Sequence, residues 1–231
     1  MRRVCAVLMM ALLISGCWTP KNSNRLNRMV EIDWADMVKN NNITYLAVYQ
    51  STPPENNLID KELSRVKFKV EGNVHNPNYK IKDGDATFLF EGTQIYSLKG
   101  YSSNFRVGVL WNNKVKVYEA DYNPNSKFGS DLMDLNEKVE YIGVNSENDG
   151  AQLATIKKPE AVRSMIFMIS NSKVNQDRHD QSGPKYLIKF YFKDGTETDR
   201  CYWPTTGELS RGIMLPKEFR NQVEFALKKK S

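Results

Sequence analysis

Apolar residues make up 40% of the 231-residue chain and charged residues 26%, with a formal charge of +6. This balance excludes a disordered tail and a multi-span membrane protein, and it suits one domain of ordinary size or two small ones. Of Cys5, Cys17 and Cys201, only Cys201 falls in the body of the chain, so no internal disulfide is expected and the fold must be held by its core.

The chain opens with Arg2 and Arg3 and an apolar run from Val4 to Ile14, far too short to cross a bilayer of roughly 30 Å but suited to a secretory signal. The run ends in Leu12-Leu13-Ile14-Ser15-Gly16-Cys17, small residues directly before a cysteine. This resembles the signal peptides of bacterial lipoproteins, in which a diacylglyceryl group is attached to the cysteine and the peptide is cut before it. The resemblance implies a signal over residues 1–16, lipidation of Cys17, and a chain held on the cell membrane facing away from the cytoplasm. An uncleaved anchor, or a secretory signal with an incidental Cys17, is the competing reading. Loss of Arg2 and Arg3 would take the charge from +6 to +4; nucleic acid is a poor partner for such an exported chain.

Residues 17–31 are polar and Asn-rich and read as a tether. Within them Lys21, Arg25 and Arg28 would each gain about 1 kcal/mol beside an anionic leaflet, or would simply be solvated. Residues 32–120 read as a β-rich subdomain. Met37-Val38 and Ile43 to Tyr49 flank Asn40-Asn41-Asn42 as a hairpin. Val66, Phe68 and Val70 alternate with Lys67 and Lys69, the period of a half-buried strand. Ala86 to Phe90 with Gln94 to Leu98, and Phe105 to Trp111 with Lys114 to Tyr118, read as two further hairpins.

Residues 121–138 form an acidic loop with room for one helical turn. Residues 139–231 change character and predict a ββαββα subdomain, helices on one face of an antiparallel sheet, so that the whole chain is α+β and mostly antiparallel. Asn148-Asp149-Gly150 and Lys193-Asp194-Gly195 mark two hairpins. Pro159 opens a helix whose apolar face is Val162, Met165, Ile166 and Ile169. Pro216 opens a second, with Phe219, Val223, Ala226 and Leu227 on one face and lysines at its end.

The run Gly92-Thr93-Gln94-Ile95-Tyr96, with Lys99-Gly100-Tyr101, Phe105-Arg106 and the downstream Gly207-Glu208-Leu209-Ser210-Arg211-Gly212-Ile213, resembles uncharacterised surface lipoproteins of low-GC Gram-positive bacteria. That resemblance implies a location and transfers no site residues.

No catalytic constellation stands out. Cys201 would need a base, and His75 and His179 both sit in polar turn sequence, so a half-buried strand position is the plainer reading. The histidines lack the spacing of a zinc site, and Asp83-Gly84-Asp85 lacks that of a calcium loop. No metal and no cofactor is expected. The segment Thr205 to Leu215 places Glu208, Ser210 and Arg211 between a strand and a helix, and Trp203 just before it is placed for exposure. Trp203, Glu208 and Arg211 are therefore the candidate ligand loop. The expected function is a non-enzymatic, membrane-anchored binding module with an envelope protein or a wall polymer as partner; the alternative is an envelope hydrolase with a dispersed active site.

Overall fold

The computed structural model describes residues 32–51, 54–177 and 183–229. The expected signal over residues 1–16, Cys17, the expected tether over residues 17–31 and His179 lie outside the described residues.

The first strands are β1 (Met37–Asn40), β2 (Ile43–Val48), β3 (Ile59–Arg65), β4 (Phe68–Lys69), β5 (Asp85–Ala86), β6 (Gln94–Leu98), β7 (Arg106–Trp111) and β8 (Lys114–Tyr122). They make one sheet in the order β3-β6-β7-β8-β2-β1-β5-β4. Asn41 and Asn42, at φ 51° and 62°, join β1 to β2, and Asn112 and Asn113, at 50° and 58°, join β7 to β8. Both central residues of such a turn need positive φ, and asparagine tolerates it better than other side chains. Both Asn-Asn hairpins form as the sequence predicts.

The expected hairpin of Ala86–Phe90 with Gln94–Leu98 does not form. β5 pairs with β1 and, in parallel, with β4, whereas β6 pairs with β3 and β7. The cause is Thr87. Its hydroxyl accepts the Met37 N–H at 2.8 Å while its own N–H donates to the Met37 carbonyl at 2.9 Å, tying this segment to β1 across fifty residues. β3 was not foreseen either, because a strand carrying Asp60, Lys61, Glu62 and Arg65 shows no apolar alternation; it lies at the sheet edge, where charge discourages further pairing.

The remaining elements are β9 (Val139–Ser146), β10 (Gln152–Ile156), α1 (Pro159–Asn171), β11 (Tyr186–Phe192), β12 (Glu197–Trp203), β13 (Glu208–Leu209), β14 (Ile213–Met214) and α2 (Lys217–Lys228). Their strands form an antiparallel sheet in the order β10-β9-β11-β12-β13-β14, so the fold is α+β. α1 starts at Pro159 and buries Val162, Met165, Ile166 and Ile169, each contributing roughly 1.5 to 3 kcal/mol. α2 buries Phe219 and Val223, and Phe219 meets the Tyr202 ring edge-on at 5.1 Å. β13 and β14 replace what reads as a loop in the sequence; two-residue strands are too short to show a period.

One continuous cluster of buried side chains draws on both sheets, with Val107 and Tyr118 from the first and Ile188, Phe190 and Phe192 from the second. The connecting segment joins in. Leu132, Met133 and Leu135 are buried around a single 3-10 turn at Gly129–Asp131, and Phe128 bridges to Lys173 beyond α1.

Candidate functional site

Arg106 and Glu119 face each other across β7 and β8, and neither side chain has any access to solvent. The Arg106 guanidinium donates to Glu119 Oε1 from Nε at 2.7 Å and to Thr196 Oγ1 at 2.9 Å. Its flat faces are enclosed by aromatic rings, with Phe192 at 4.0 Å and Tyr101 and Phe105 each at 4.8 Å. Such cation–π contacts strengthen when desolvated. The other carboxylate oxygen of Glu119 accepts from Thr198 Oγ1 at 2.7 Å and from Arg200 Nη2 at 2.5 Å. Burial alone pushes the Glu119 carboxyl up, but the Arg106 and Arg200 guanidiniums and the Thr198 hydroxyl outweigh it and hold the carboxyl down at about 2.

These contacts join the two sheets. Arg106 and Glu119 come from the first, and Thr196, Thr198 and Arg200 come from β12 and the turn before it. Thr198 and Arg200 stand opposite Phe190 and Ile188 in register, so polar residues occupy core-facing positions of an otherwise apolar strand face.

A cleft of about 520 Å³ opens beside this seam, around the outer edge of β12. Local geometry explains why the edge is uncovered. At one end the Gln50 side-chain amide acts as a strand partner, donating to the Glu197 carbonyl and accepting its N–H, both at 2.8 Å. At the other end β13 pairs only with Tyr202 and Trp203. The stretch between them lines the cleft with side chains from both faces, including Asp199, Arg200 and Cys201, together with Lys189 of β11.

The opposite wall comes from β2, the end of β8 and the β13–β14 turn, which brings Glu208, Ser210 and Arg211 to the same space. Arg211 sits at φ +74° in that turn. The turn is fixed by Gly212, where any Cβ would stand 1.9 Å from the Asn175 carbonyl oxygen, and by the Asn175 N–H donating to the Gly212 carbonyl at 2.8 Å. Arg211 Nε meets Asp121 Oδ1 at 3.2 Å. Burial and the nearby Arg200 charge push its guanidinium down to about 10, still protonated at neutral pH. Tyr49, 85% exposed, and Tyr122, 47% exposed, stand at the rim.

Two of the three candidate loop residues therefore meet in one cleft. Trp203 does not: it is only 5% exposed, pairs with Glu208 inside the sheet, and lies outside the cleft lining. Pairing with β13 buries a residue whose neighbour Pro204 reads as the start of an open loop. Cys201 is half-buried, and burial pushes its thiol up, which favours the thiol over the nucleophilic thiolate. His75 is exposed, away from the cleft. Asp83 accepts the Asn42 N–H at 2.7 Å and Asp85 accepts the Tyr79 hydroxyl and the Lys82 N–H, so both carboxylates hold turns. Sequence reading missed Arg106, Glu119 and Arg200. Glu119 and Arg200 carried a faint signal, a charge in phase with the apolar Val115 and Val117 and with Tyr202 respectively; Arg106 carried none.

Comparison with models of known protein families, with curated proteins and with solved structures finds no match to this chain.

Proposed function

We propose that this chain is a membrane-anchored binding module of the cell envelope, without catalysis of its own, that takes a polar wall-polymer fragment in the cleft at the β12 edge. The observation that carries the reading is the composition of that cleft. Donors and acceptors of both charge signs, Lys189, Arg200 and Arg211 against Asp121, Asp199 and Glu208, lie beneath two exposed tyrosine rings. Such a lining suits a ligand rich in hydroxyl and amide groups, whose polar edges need partners and whose ring faces can stack. An apolar ligand would strip water from these charges without offering them hydrogen bonds, and a polyanion would meet the carboxylates.

The anchor rests on Ser15-Gly16-Cys17 after a short apolar run. Two acyl chains on Cys17, each methylene contributing about 0.8 kcal/mol, would hold the chain to the membrane without help from its surface charge. Mass spectrometry of the N-terminus should find a diacylglyceryl Cys17, membrane association should survive high salt, and Cys17→Ser should abolish the lipid. A mature chain starting elsewhere and unmodified would remove the anchor from the reading.

The ligand is tested by titrating the purified protein with soluble peptidoglycan fragments. Saturable binding that weakens about tenfold in Arg211→Gln, a loss of roughly 1.4 kcal/mol, is expected. Turnover of the fragments, lost in Glu208→Gln, would replace binding with hydrolysis.

A further inference from the structure

A second concave surface lies on the far side of the six-stranded sheet's order from β14. β10 is the terminal strand there, and its outer side faces a groove of about 590 Å³ bounded by the start of α1 and by α2. The floor is Ala154 and Ile156, and the walls include Ala161 and Phe225, the latter 66% exposed. A large aromatic ring left in water at the lip of a groove is not accounted for by the core. Lys157, Lys158 and Lys229 complete the lining, which contains no carboxylate. In the same wall the Gln222 amide nitrogen donates to Ser164 at 3.0 Å, while its buried carbonyl oxygen has no donor among the described residues.

We propose that this groove is a docking site for an extended, acidic and apolar segment of a partner protein, which adds as a strand to the edge of β10. Each component of that occupant answers something present. A terminal strand offers backbone groups on its outer side to another extended chain, and alternate side chains of the added strand fall into the groove or out of it. The apolar half of such a segment covers Ala154, Ala161 and Phe225. Its carboxylates lie against the three lysines, of which Lys158 and Lys229 flank opposite helix ends.

Charge argues against the other occupants. The stretch 17–31 of this chain carries Lys21, Arg25 and Arg28 against Glu31 alone, the same sign as the groove. A second copy seated groove to groove would set one carboxylate-free, lysine-bearing lining against another. A bilayer surface would satisfy the lysines but could neither enter the groove nor supply backbone partners to β10. The proposal is independent of the β12 cleft and of the anchor.

The test titrates purified protein into a fluorescent acetyl-Glu-Val-Glu-Val-Glu-Val-Glu-amide peptide, read by anisotropy. Saturable binding is expected, weakening about tenfold or more between roughly 0.05 and 0.5 M salt as screening shortens. The triple variant Lys157→Glu, Lys158→Glu, Lys229→Glu should lose binding, and Phe225→Ser should weaken it about tenfold, the equivalent of losing part of one buried aromatic contact. All four positions carry exposed or rim side chains, so these variants keep the fold, which circular dichroism checks. Hydrogen exchange of β10 amides should slow with peptide bound. A peptide N-methylated on alternate residues should bind about tenfold weaker in one of its two phases. Equal binding by both N-methylated peptides, by the neutral Gln-Val counterpart or by the charge-reversed protein would overturn the proposal. So would no binding at all, in which case the lysines only guard the edge, or a salt-insensitive dimer built on this face.

Discussion

The two sheets are assembled by different rules. In the six-stranded sheet, β9 with β10, β11 with β12 and β13 with β14 are neighbours both in sequence and in space, and turn residues such as Gly150 and Gly195, both at positive φ, close the hairpins locally. The eight-stranded sheet places β3 beside β6, β8 beside β2 and β1 beside β5. The last of these pairings is fixed by side chains acting over long separations, Thr87 on Met37 and Asp83 on Asn42. Local turn chemistry closes the three hairpins of the second sheet, where only the pairing of β9 with β11, across β10 and α1, is long-range, whereas the first needs tertiary contacts at several points to select its order. The charged seam then locks one to the other.

The largest expected effect comes from breaking that seam. Glu119→Ala leaves Arg106 and Arg200 buried with no carboxylate between them, and removing one member of a buried ion cluster costs about 3 to 5 kcal/mol. Denaturant unfolding followed by tryptophan fluorescence and by far-UV circular dichroism should show one shared, weakened transition. Two separated transitions would mean that the sheets unfold independently and that the seam is not what unites them.

Acid sharpens the same point. The folded Glu119 carboxyl titrates at about 2, below the ordinary 4.5, so the unfolded chain binds the proton first. Its contribution to stability is complete above the ordinary value and is lost as pH falls through the folded one. The wild-type protein should therefore lose stability between about pH 4.5 and 2 more steeply than Glu119→Gln, which cannot titrate there. Parallel pH profiles for the two proteins would assign acid sensitivity to other carboxylates.

What the sequence made legible follows this division. The Asn-Asn hairpins, the Asn-Asp-Gly and Lys-Asp-Gly hairpins and the apolar face of α1 depend on residues within a turn or two of one another, and they could be read directly. Thr87 carries no mark saying that it will reach Met37, so the hairpin expected from Ala86 to Leu98 was plausible by every local criterion and still did not form. β3 was hidden by its charges. At the site, Glu208 and Arg211 stood out as polar residues among glycines and do reach the cleft. Gln50, which uncovers the cleft by standing in for a strand, looks in sequence like any polar residue near a loop. Arg106 and Glu119 were obscured because charges in strands usually point to water, and only the register of β7 on β8 reveals that these two face each other.

Thr87→Val tests the long-range rule alone. The change keeps the side chain's shape while removing the acceptor of the Met37 N–H in a fully buried position, and an unsatisfied buried donor costs about 1 to 3 kcal/mol. Hydrogen exchange should show faster opening at β1 and β5, with β11 and β12 little altered. Uniform acceleration in both sheets would show that the pairing contributes to the global fold and not to the order of one sheet.

The smallest effect is expected at a local turn. Gly195 adopts φ +81° between β11 and β12, and a Cβ added there would meet no atom within 4 Å. Gly195→Ala therefore introduces no clash, and its whole cost is the left-handed backbone that an L side chain disfavours, about 1 kcal/mol. Asparagine tolerates this conformation through its short polar side chain, so Gly195→Asn should recover most of the loss. The ranking matters more than either value. Because the hairpin is specified by its turn, destabilising the turn should lower stability in proportion to backbone strain, with Ala worst, Asn intermediate and Gly best. A long-range contact would show no such dependence on φ preference. If Ala and Asn cost the same, the β11–β12 hairpin is held by its cross-strand pairs, among them Phe190 with Thr198 and Ile188 with Arg200, and the second sheet is assembled through tertiary contacts as the first is.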